Sequence, residues 1–552
     1  MTTIIETRRA QMFPTLTPAQ MARLEGYGKR MRVAAGDVLA QSGEREGRVV
    51  VVISGAVEIL RTGLRAEERV TIHGPGEFTG EMSTLRGARS LVRAQVSEAG
   101  EVLIIEHDNL RKLVQTDANL SELFMRAFIL RRMGLIESES GDLILIGSRH
   151  STGTLRLQQF LTRNGTPYHS VDIETDPDVG ELLERFHVKV EEVPVVICHT
   201  QKVLRNPSNQ QIAECLGMNP QIDDATVRDV LVVGAGPAGL AAAVYAASEG
   251  LDVLVLETIA AGGQAGSSSR IENYLGFPTG ISGRALAGRA LVQAQKFGAD
   301  VTIATSAVRL RCDRRPYEIE LSNGHTVRGR TVIIATGAEY RQLSLPNLAR
   351  FVGDGVFYAA TNVEARLCTN EEIIVVGGGN SAGQAAVFLA EGCRAVNVFV
   401  RADGLADSMS RYLIRRIEEA SNITLHVRTQ ITALDGKDRL ERVSWRNAVD
   451  NVETTRDMQH VFLMTGANPN TRWLQGCVPL DDKGFVRVGS DLRAEDLLAT
   501  RWSRPRAPYL METGIPGIFA VGDVRSGSVK RVASAVGEGS ISIQLVHRVL
   551  QE

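Results

Sequence analysis

The sequence predicts a multidomain α/β protein with two doubly wound, three-layer domains, preceded by a smaller α/β domain and a β-barrel-type domain of short strands. Its 552 residues exceed what one hydrophobic core normally serves, and 43% of them are hydrophobic, which is ordinary for globular chains. Twice, at residues 230–240 and 373–382, an apolar strand runs into a glycine-rich turn and then a helix. These two patterns predict the doubly wound domains, and both lie in the C-terminal part of the chain.

The first glycine turn has the pattern of a dinucleotide-binding site. Gly234, Gly236 and Gly239 follow an apolar strand and bring backbone N–H groups against a pyrophosphate. The next strand, at residues 251–256, ends at Glu257, whose spacing suits a hydrogen bond to a ribose 2′-hydroxyl. The alternative is a turn whose glycines serve only close helix packing, but the agreement of strand, turn and acid favours the binding site.

The second glycine turn repeats the pattern with Gly377, Gly379 and Ala382. Its second strand, at residues 395–400, ends at Arg401 rather than at an acid. A cation at this position favours a 2′-phosphate and therefore NADPH over NADH. The alternative is a solvated arginine at a strand end, since one arginine does not make a phosphate clamp.

Further motifs follow one another along residues 229–552. They are Gly-Gly-Gln at 262–264, Ile-Glu-Asn-Tyr at 271–274, Ala-Thr-Gly at 335–337, the turn at 377–382, Gly-Ala-Asn-Pro-Asn-Thr at 466–471 and Gly-Ile-Phe-Ala-Val-Gly-Asp at 517–523. The series resembles the bacterial thioredoxin reductase family. That resemblance implies FAD at the first site, NADPH or NADH at the second, and a homodimer.

The resemblance and the glycine turns together assign two sets of cofactor-binding residues. The FAD set is Gly234, Gly236, Pro237, Ala238, Gly239, Glu257, Gly263, Gln264, Asn273, Ala335, Thr336, Gly337, Gly522, Asp523, Arg531, Val532 and Ala533. The nicotinamide-nucleotide set is Gly377, Gly379, Asn380, Ser381, Ala382, Arg401 and Arg411. No side chain is assigned as a catalytic acid or base, because hydride transfer to a flavin needs none, and no metal ligand is assigned.

Two departures from the family bear on its chemistry. Where the family has Cys-Ala-Thr-Cys over the flavin, residues 359–362 read Ala-Ala-Thr-Asn. Disulfide exchange requires a thiolate, so disulfide reduction at this position is not expected. The family's H-R-R-D-x-x-R phosphate clamp reads Val-Arg-Ala-Asp-Gly-Leu-Ala at residues 400–406. Arg411 on the following helix is a hypothetical replacement for the missing cations.

The six cysteines include no C-x-x-C pair. Cys368, six residues after Asn362, is expected to be buried packing rather than a redox centre. Unpaired thiols fit reducing surroundings. Residues 1–14 lack the apolar region of a signal peptide, and no stretch approaches membrane-spanning length. The sequence therefore predicts a cytoplasmic protein that does not engage a membrane.

Residues 141–218 give a second resemblance. Strands are predicted at 142–147 and 168–173 with a helix at 153–163 between them, and Val193-Pro194 resembles the turn with a cis-proline of thioredoxin and glutaredoxin folds. Ser-Arg-His-Ser at 148–151 stands where those folds carry C-x-x-C. One interpretation is a docking or ligand pocket formed by Arg149, His150 and Pro194, and the other is a spacer.

The first 135 residues alternate short strands with glycine turns, and helical periodicity returns only after Asn109. Strands are predicted at residues 32–39, 48–52, 57–61, 70–73 and 102–106, with an amphipathic helix at 120–135. Residues 76–94 resemble the phosphate cassette of cyclic-nucleotide-binding domains. The resemblance implies a ligand site at Gly80, Glu81, Met82, Arg89 and Ser90, in which Glu81 accepts a ribose hydroxyl and Arg89 neutralises the phosphate. The alternative is a degenerate domain that has lost its ligand.

The lapses in periodicity predict four domains. They are a cyclic-nucleotide-binding domain at residues 1–136, a thioredoxin-like domain at 141–218, an FAD-binding domain at 225–344 and 467–552, and an NAD(P)H-binding domain at 345–466. The net charge of −2, from 62 basic and 64 acidic side chains, gives no reason to expect nucleic-acid binding.

These observations predict an FAD-dependent NAD(P)H oxidoreductase that passes a hydride to an unknown acceptor other than a dithiol. The acceptor is a small molecule or a redox protein, and a cyclic nucleotide is a candidate regulator. Two alternatives stay open: a thioredoxin-disulfide reductase, on resemblance alone, and a non-catalytic redox or cyclic-nucleotide sensor.

Overall fold

A computed structural model describes the chain except for residues 1–3, 45–46, 63–66, 81–83, 86–88, 138–142, 177–183, 185–191, 199–201, 269–270, 272–273, 342, 346, 353, 359, 361, 438 and 466. Its contacts divide the chain into two units. The first is Met1–Arg149, Phe160–Asp223 and Val292–Thr305, and the second is His150–Gln159, Asp224–Leu291 and Ser306–Glu552. Within the described part, no helix is both long and apolar enough to cross a membrane.

The first unit begins with an antiparallel sheet. Its strands are β1 (Lys29–Val33), β2 (Val38–Ala40), β3 (Val49–Thr62), β4 (Glu67–His73) and β5 (Arg93–Ile105). The order is β1-β5-β3-β4, with β2 also paired to β5. Among the described strands none joins β1 to β4, so the sheet is open where the sequence predicted a closed barrel. The two strands predicted at 48–52 and 57–61 form one strand, β3, because an irregular register with Gly55 at φ 80° carries it through the predicted turn.

Four helices accompany this sheet in sequence: α1 (Ile4–Met12), α2 (Pro18–Leu24), α3 (His107–Thr116) and α4 (Ala118–Glu137). A capping box between Thr17 and Gln20 starts α2. The predicted helix at 120–135 is α4, and it buries Phe124 and Phe128 against Phe78, with the Phe78 and Phe124 ring centroids 4.3 Å apart. Burial of these aromatic rings fixes the helix on the sheet.

A second, smaller sheet follows, and its four strands belong to the first unit. In chain order the elements are β6 (Leu143–Gly147), α5 (Thr152–Arg163), β7 (His169–Asp172), β8 (Val195–Cys198), β9 (Lys202–Arg205) and α6 (Asn209–Cys215), and residues 152–159 of α5 are assigned to the second unit. The sheet order is β7-β6-β8-β9, with β6 and β7 parallel and the other pairs antiparallel. Each residue of β6 and β8 is buried, as their unbroken apolar runs predict. The Val193–Pro194 peptide, just before β8, is cis.

The first doubly wound domain belongs mainly to the second unit. Residues 292–305, which include the end of α9 and β12, are assigned to the first unit. In chain order come β10 (Val227–Val233), α7 (Pro237–Ser248), β11 (Val253–Leu256), α8 (Gly263–Gly266), α9 (Gly283–Phe297), β12 (Asp300–Thr302), β13 (Ala307–Arg311), β14 (Tyr317–Leu321) and β15 (Thr326–Ile334). β10 lies between β11 and β15 and is parallel to both. β14 and β13 extend the sheet as antiparallel strands. The carboxyl ends of β10 and β15 therefore lie side by side.

The second doubly wound domain follows in the same unit. In chain order come β16 (Ala338–Tyr340), α10 (Leu348–Phe351), β17 (Val356–Phe357), α11 (Asn362–Leu367), β18 (Glu372–Val376), α12 (Asn380–Ala390), β19 (Ala395–Phe399), α13 (Arg411–Glu419), β20 (Ile423–His426), β21 (Thr429–Asp435), β22 (Arg442–Asn447), β23 (Glu453–Asp457), β24 (Val461–Leu463) and β25 (Ala467–Pro469). A parallel sheet runs β17-β24-β18-β19-β20. β16 and β25 pair as the two chain crossings between the domains.

The chain then returns to the first sheet. After α14 (Ala494–Ala499), β26 (Ile518–Ala520) pairs in parallel with β15, and α15 (Val532–Gln551) ends the chain. Glu538 and Gly539 of α15 are buried, and the Gly539 Cα lies so close to α7 that a Cβ there would stand 2.2 Å from the Ala238 carbonyl oxygen. The last helix therefore completes the layer that carries the first glycine turn.

A disulfide joins Cys312 and Cys477, which corrects the expectation that the cysteines are unpaired. The two residues are 165 positions apart, so no local motif announces the bond. Cys312 directly follows β13, and the fold brings Cys477 beside that strand, where its sulfur contacts the Leu310 carbonyl. The other four cysteines form no disulfide and are buried.

Candidate functional site

The first glycine turn is built by close backbone contacts. A Cβ on Gly234 would stand 2.3 Å from the Ala335 carbonyl oxygen, and one on Gly239 would stand 1.9 Å from the Gly234 carbonyl oxygen. Gly234 also has φ 104°, where a side chain is strained. At Gly236, by contrast, a Cβ would meet no described protein atom within 4 Å. The turn therefore packs tightly at its first and third glycines and leaves open space at the second, where a pyrophosphate approaches in such sites.

Glu257 secures this turn from the end of β11. It is only 7% exposed, and its carboxylate accepts hydrogen bonds from the Ala235 N–H at 2.8 Å and the Ile259 N–H at 2.9 Å. A carboxylate oxygen has lone pairs for more than one donor, so these bonds leave acceptor capacity for a ribose hydroxyl. The structure thus places Glu257 where the sequence predicted and adds a backbone role.

The middle of the predicted FAD set surrounds the crossing from β15 to β16. Ala335 lies under Gly234, and Gly337 has φ 62°. Thr336 donates from Oγ1 to the Asn470 carbonyl at 2.8 Å, and the Asn470 side chain donates back to the Thr336 carbonyl at 3.0 Å. Gln264 in α8 donates to the Ala338 carbonyl at 3.4 Å. These bonds fix the crossing that borders the turn.

Three predicted residues of the first turn and its neighbouring loop occupy tight positions. Pro237 begins α7 as its first residue, Ala238 is 5% exposed, and Gly263 lies so close that a Cβ on it would stand 3.0 Å from the Gly236 Cα. Asn273 lies outside the described residues. Pro237 suits the helix start because the missing N–H has no intrahelical partner there.

The turn at Gly522 and Asp523, which follows β26, belongs to the predicted FAD set. Gly522 has φ 74°, and its N–H donates to Glu538 Oε2 at 2.6 Å. Burial raises the pKa of Asp523 above its ordinary value, and the charge of Lys530 partly offsets that rise. Burial thus disfavours the ionised carboxylate of Asp523, because it removes hydrogen bonds from water. A hydroxyl-rich ligand chain would replace those hydrogen bonds.

The remaining members of the FAD set begin α15. Arg531 is the exposed residue before the helix, Val532 is its half-buried first residue, and Ala533 is exposed. Neither the Arg531 nor the Ala533 side chain is enclosed by protein atoms. Their roles in FAD binding stay predictions.

The second glycine turn copies the geometry of the first. A Cβ on Gly377 would stand 2.3 Å from the Met464 carbonyl oxygen, whereas the nearest described atom to a Cβ on Gly379 is 3.9 Å away. Ala382 replaces the third glycine and is fully buried. Asn380 starts α12 and accepts a hydrogen bond from the Ser410 N–H at 2.7 Å, which ties the turn to α13; Ser381 follows in the first turn of the helix.

The predicted phosphate clamp is only partly assembled. Arg401 lies two residues after β19 and Arg411 is the first residue of α13, and both are exposed. Sequence reasoning missed Arg428, which forms an ion pair with Asp403 of the clamp segment. Arg428 follows β20, so only the folded sheet brings it to the carboxyl end of β19.

The segment that carries the redox pair in the related family begins α11 here. Asn362 is the first residue of the helix, Ala360 is 8% exposed, and Ala359 and Thr361 lie outside the described residues. Cys368 is fully buried, as predicted, but its sulfur lies 3.6 Å from that of Cys393. In the hydrogen bond between the two thiols Cys368 keeps its proton, and this bond and burial both raise the pKa of Cys368, so this thiol is a poor nucleophile; the same bond lowers the pKa of Cys393.

The predicted cyclic-nucleotide cassette is described at Gly80, Arg89 and Ser90, while Glu81 and Met82 lie outside the described residues. Arg89 donates to the Gly43 carbonyl at 2.6 Å, and the Ser90 N–H donates to the Glu44 carbonyl at 3.0 Å. These are two of the donors that the sequence assigned to a phosphate. In this structure they bind the loop that follows β2.

A buried cation from α4 is part of this cassette. Arg131 of α4 is 8% exposed, donates to the Gly80 carbonyl at 2.8 Å, and has its guanidinium carbon 4.7 Å from the Phe78 ring centroid. Its charge lies over the ring face, which favours a cation. The alternation of apolar and charged residues in α4 gave no signal that this arginine points inward.

Residues 228–539, more than half of the chain, match the model of the pyridine nucleotide-disulphide oxidoreductase family. The chain belongs to that family. Residues 30–117 match the cyclic nucleotide-binding domain model. The N-terminal resemblance and the thioredoxin-reductase-like resemblance are thereby confirmed.

Individual relatives agree with this assignment. A thioredoxin reductase of Mycolicibacterium smegmatis is 33% identical over 57% of this chain and 94% of its own length, and one of Listeria monocytogenes is 30% identical over 59% and 95%. Among solved structures, Lactococcus lactis thioredoxin reductase aligns with a TM-score of 0.52 at 26% identity, covering 59% of this chain and all of its own. That of T. acidophilum gives the same TM-score at 27% identity over 58% and 99%.

The cofactors of this thioredoxin-reductase-like chain are FAD and NADPH, as in its family. The open second-glycine positions in both turns and the half-buried Asp523 fit the two dinucleotides. The assignment of each cofactor to its turn and of individual residues to contacts remains a prediction.

We predict that Gly236→Ala folds normally and loses FAD. Its Cβ meets no described protein atom, so the free energy of unfolding of the flavin-free protein should not change, while the methyl group fills the space left for pyrophosphate. The expected loss of FAD affinity is about tenfold or more, or roughly 1.4 kcal/mol. Flavin-to-protein ratios after gel filtration at falling FAD concentration measure it.

Gly288→Ala in α9 is the matched control, because a Cβ there also meets no described atom and lies outside the turn. Equal flavin retention in the two variants would contradict the assignment of Gly236 to the pyrophosphate.

Proposed function

We propose that the chain is an FAD-dependent NADPH oxidoreductase that delivers electrons to an acceptor other than a disulfide, under the influence of a cyclic nucleotide. The chain carries both glycine turns of its family and has no C-x-x-C anywhere in its sequence. The replacement of both family cysteines at residues 359–362 is the observation that carries the proposal.

The chemistry of disulfide exchange supports this choice. A disulfide reductase needs a thiolate that attacks sulfur, and neither alanine nor asparagine supplies one. A disulfide reductase is the second candidate, because the relatives are named thioredoxin reductases and because Cys368 and Cys393 form a close pair. These two thiols are 0% and 7% exposed, so a protein disulfide would not reach them without a large rearrangement.

The chain's own residues would bind and orient the cofactors. The turn at Gly234, held by Glu257, would bind the FAD pyrophosphate, and Asp523 would hold the sugar-alcohol chain of the flavin. The turn at Gly377 and Arg401 would bind the nicotinamide nucleotide, with Arg401 favouring its 2′-phosphate. FAD and NADPH, when bound, supply the hydride chemistry itself. The protein then needs no catalytic acid or base.

The acceptor can be tested by substitution at the family's cysteine positions. We expect the wild-type protein to oxidise NADPH with ferricyanide, giving NADP⁺, a proton and two ferrocyanides for each NADPH, and to leave an aryl disulfide unreduced. The double variant Ala359→Cys/Asn362→Cys should gain NADPH-dependent disulfide reduction, because it restores the missing dithiol. Steady-state rates with each acceptor measure both effects.

Cys368→Ser is the control for the buried pair and should not change ferricyanide reduction. Wild-type disulfide turnover at a rate near that with ferricyanide, abolished in Cys368→Ser, would overturn the proposal and assign disulfide chemistry to Cys368 and Cys393.

The contacts of Arg89 support regulation by a cyclic nucleotide. Its aliphatic stem packs on Gly217, where a Cβ would stand 2.8 Å from the Arg89 Cγ, and its guanidinium binds the Gly43 carbonyl. A cyclic phosphate that draws Arg89 to itself would compete with the Gly43 contact and disturb the Gly217 contact. Occupancy of the cassette would thereby reach the segment that precedes the FAD-binding domain.

The sheet order β7-β6-β8-β9, with β6 and β7 parallel and the other pairs antiparallel, supports a thioredoxin-like module at residues 141–218. At the position of its redox motif, Arg149 instead binds Asp172 at 2.7 Å and Ser148 binds Glu174 at 2.5 Å. We infer that this module has a structural or docking role without redox chemistry. The resemblance to thioredoxin reductases further supports a homodimeric enzyme.

We predict that Arg89→Gln weakens the binding of cAMP or cGMP about ten- to a hundredfold, because it removes a charge-assisted hydrogen bond worth about 1.5–3 kcal/mol. Isothermal titration of the full chain with each nucleotide measures the change. Arg69→Gln, an exposed cation on β4, is the control and should bind as the wild type does. Unchanged affinity in Arg89→Gln would remove the arginine from the ligand site.

A further inference from the structure

A cavity of about 500 Å³ lies beside the turn that contains Asp523. Its walls come from three stretches of the second unit, at residues 481–487, 491–493 and 525–530. The size is that of an ordinary small-molecule site. Burial raises the pKa of Asp523, and the charge of Lys530 opposes that rise. Lys530, which lines the cavity, is therefore near enough to Asp523 of the predicted flavin site for their charges to interact.

The lining of this cavity is dominated by cations. Five cationic side chains face three acidic ones, which are Asp481, Asp482 and Asp491. The cations are Lys483, Arg487, Arg493, Arg525 and Lys530. Among the acids, Asp481 already accepts three hydrogen bonds. Two come from the Lys483 and Phe485 N–H groups of its own loop and one from the Ser526 hydroxyl, each at 2.9 Å. Arg487, Arg493 and Arg525 each pair with a carboxylate, whereas no described carboxylate forms an ion pair with Lys483 or Lys530, so these two lysines are the cations that the wall leaves unneutralised.

Two of these cations are fixed in the wall. The side chains of Arg487 and Arg525 are only 10% and 16% exposed, and each pairs with a carboxylate behind it, Asp496 at 3.2 Å and Glu538 at 2.6 Å. Each also lies 4.0 Å from an acid of the cavity, Arg487 from Asp482 and Arg525 from Asp491. The Arg525 Nε is buried, and no described residue accepts its hydrogen bond. A buried donor without an acceptor costs free energy, and an anion in the cavity is a natural partner for it.

The remaining donors are exposed side chains or groups of the loop at residues 526–528. Lys530 is exposed, with its ammonium 5.6 Å from the Phe485 ring centroid. Ser526, Gly527 and Ser528 form the loop between Arg525 and Lys530, and Gly527 has φ 65°. Guanidinium forks, an ammonium and the polar groups of such a loop are the groups with which proteins bind phosphate.

We propose that this cavity binds the phosphate group of a small phosphorylated molecule, beside the flavin site and separate from both dinucleotide turns and from the cyclic-nucleotide cassette. The inference does not depend on the identity of the electron acceptor. The fixed arginines would hold the phosphate, and Arg493 and Lys530 at the rim would close over it. The exposed carboxylates of Asp482 and Asp491, each 4.0 Å from an arginine of the wall, would lie at the rim beside the uncharged hydroxyl groups of the same molecule.

The test is isothermal titration of the full-length flavoprotein with pyrophosphate at low salt. Saturating NADP⁺ and cAMP are present throughout, so that the other phosphate-binding sites are occupied. We expect one binding event per chain, weakened at least fivefold in Arg493→Gln and in Lys530→Gln and unchanged in Lys437→Gln, an exposed cation outside the cavity. A second titration with ribose 5-phosphate separates a phosphorylated metabolite, which should bind more tightly, from free inorganic phosphate.

The flavin absorbance of each variant shows whether FAD is still bound, which matters most for Lys530→Gln because of its neighbour Asp523. The native Arg493 side chain is exposed, and among the described residues its carboxylate partner is Glu495 at 3.4 Å. Arg493→Gln should therefore leave the flavin bound, and it keeps the test valid if Lys530→Gln loses flavin. The absence of heat on titration, or equal affinity in Arg493→Gln and Lys437→Gln, would overturn the site. Because no turnover is measured, the result is independent of the acceptor assay.

Discussion

The approach of the first glycine turn to the crossing strand is the constraint on which the rest of this enzyme depends. Gly234 lies against the Ala335 carbonyl and Gly239 against the Gly234 carbonyl, at distances that leave no room for a Cβ. The contact with Ala335 exists because β10 and β15 are parallel neighbours whose carboxyl ends coincide, and the contact between Gly239 and Gly234 closes the turn on itself. The sheet thus fixes the turn, the turn begins α7, and the start of α7 directs its N–H groups toward the open space at Gly236. The same arrangement recurs at Gly377 beside Met464.

Buried acids stabilise these turns at the points where the backbone has unpaired donors. Glu257 accepts from Ala235 and Ile259, and Glu538 accepts from Gly522 while it pairs with Arg525. A buried carboxylate is tolerated when N–H groups and a cation satisfy it. No described N–H group donates to the Asp523 carboxylate, and burial raises its pKa even though the charge of Lys530 opposes that rise. The contrast separates carboxylates that support the fold from one that is available to a ligand.

The sequence predicted those parts of the fold whose residues are contiguous along the chain. The strand, glycine turn and helix at 230–240 are contiguous, so the periodicity and the glycines identify the element and its ligand together. Long-range pairings gave no such signal. Cys312 and Cys477 are 165 residues apart, Glu538 reaches Gly522 across a helix start, and Arg428 meets Asp403 only through the order of β19 and β20. The open N-terminal sheet was predicted as a barrel because strand patterns give pairs of neighbours and not closure.

The cyclic-nucleotide cassette shows the same limit at the level of single contacts. The sequence indicated Arg89 and Ser90 as phosphate donors, and the structure has both bound to carbonyls of the loop at residues 43–44. Residue type and spacing identify the donors but not the partner that a donor has when the ligand is absent. The cationic cavity beside Asp523 was likewise invisible in the sequence, because its walls come from three separate stretches.

We propose that the two glycine turns hold FAD and NADPH in one working hydride path that does not use a cysteine pair. Anaerobic stopped-flow mixing of the purified flavoprotein with NADPH, followed at the flavin absorbance band, tests it most directly. We expect the band to bleach in a single rapid phase with NADPH, without any disulfide present, and more slowly with NADH. If neither NADPH nor NADH bleaches a protein that retains its flavin, the chain is not a reductase, and the sensor alternative takes its place.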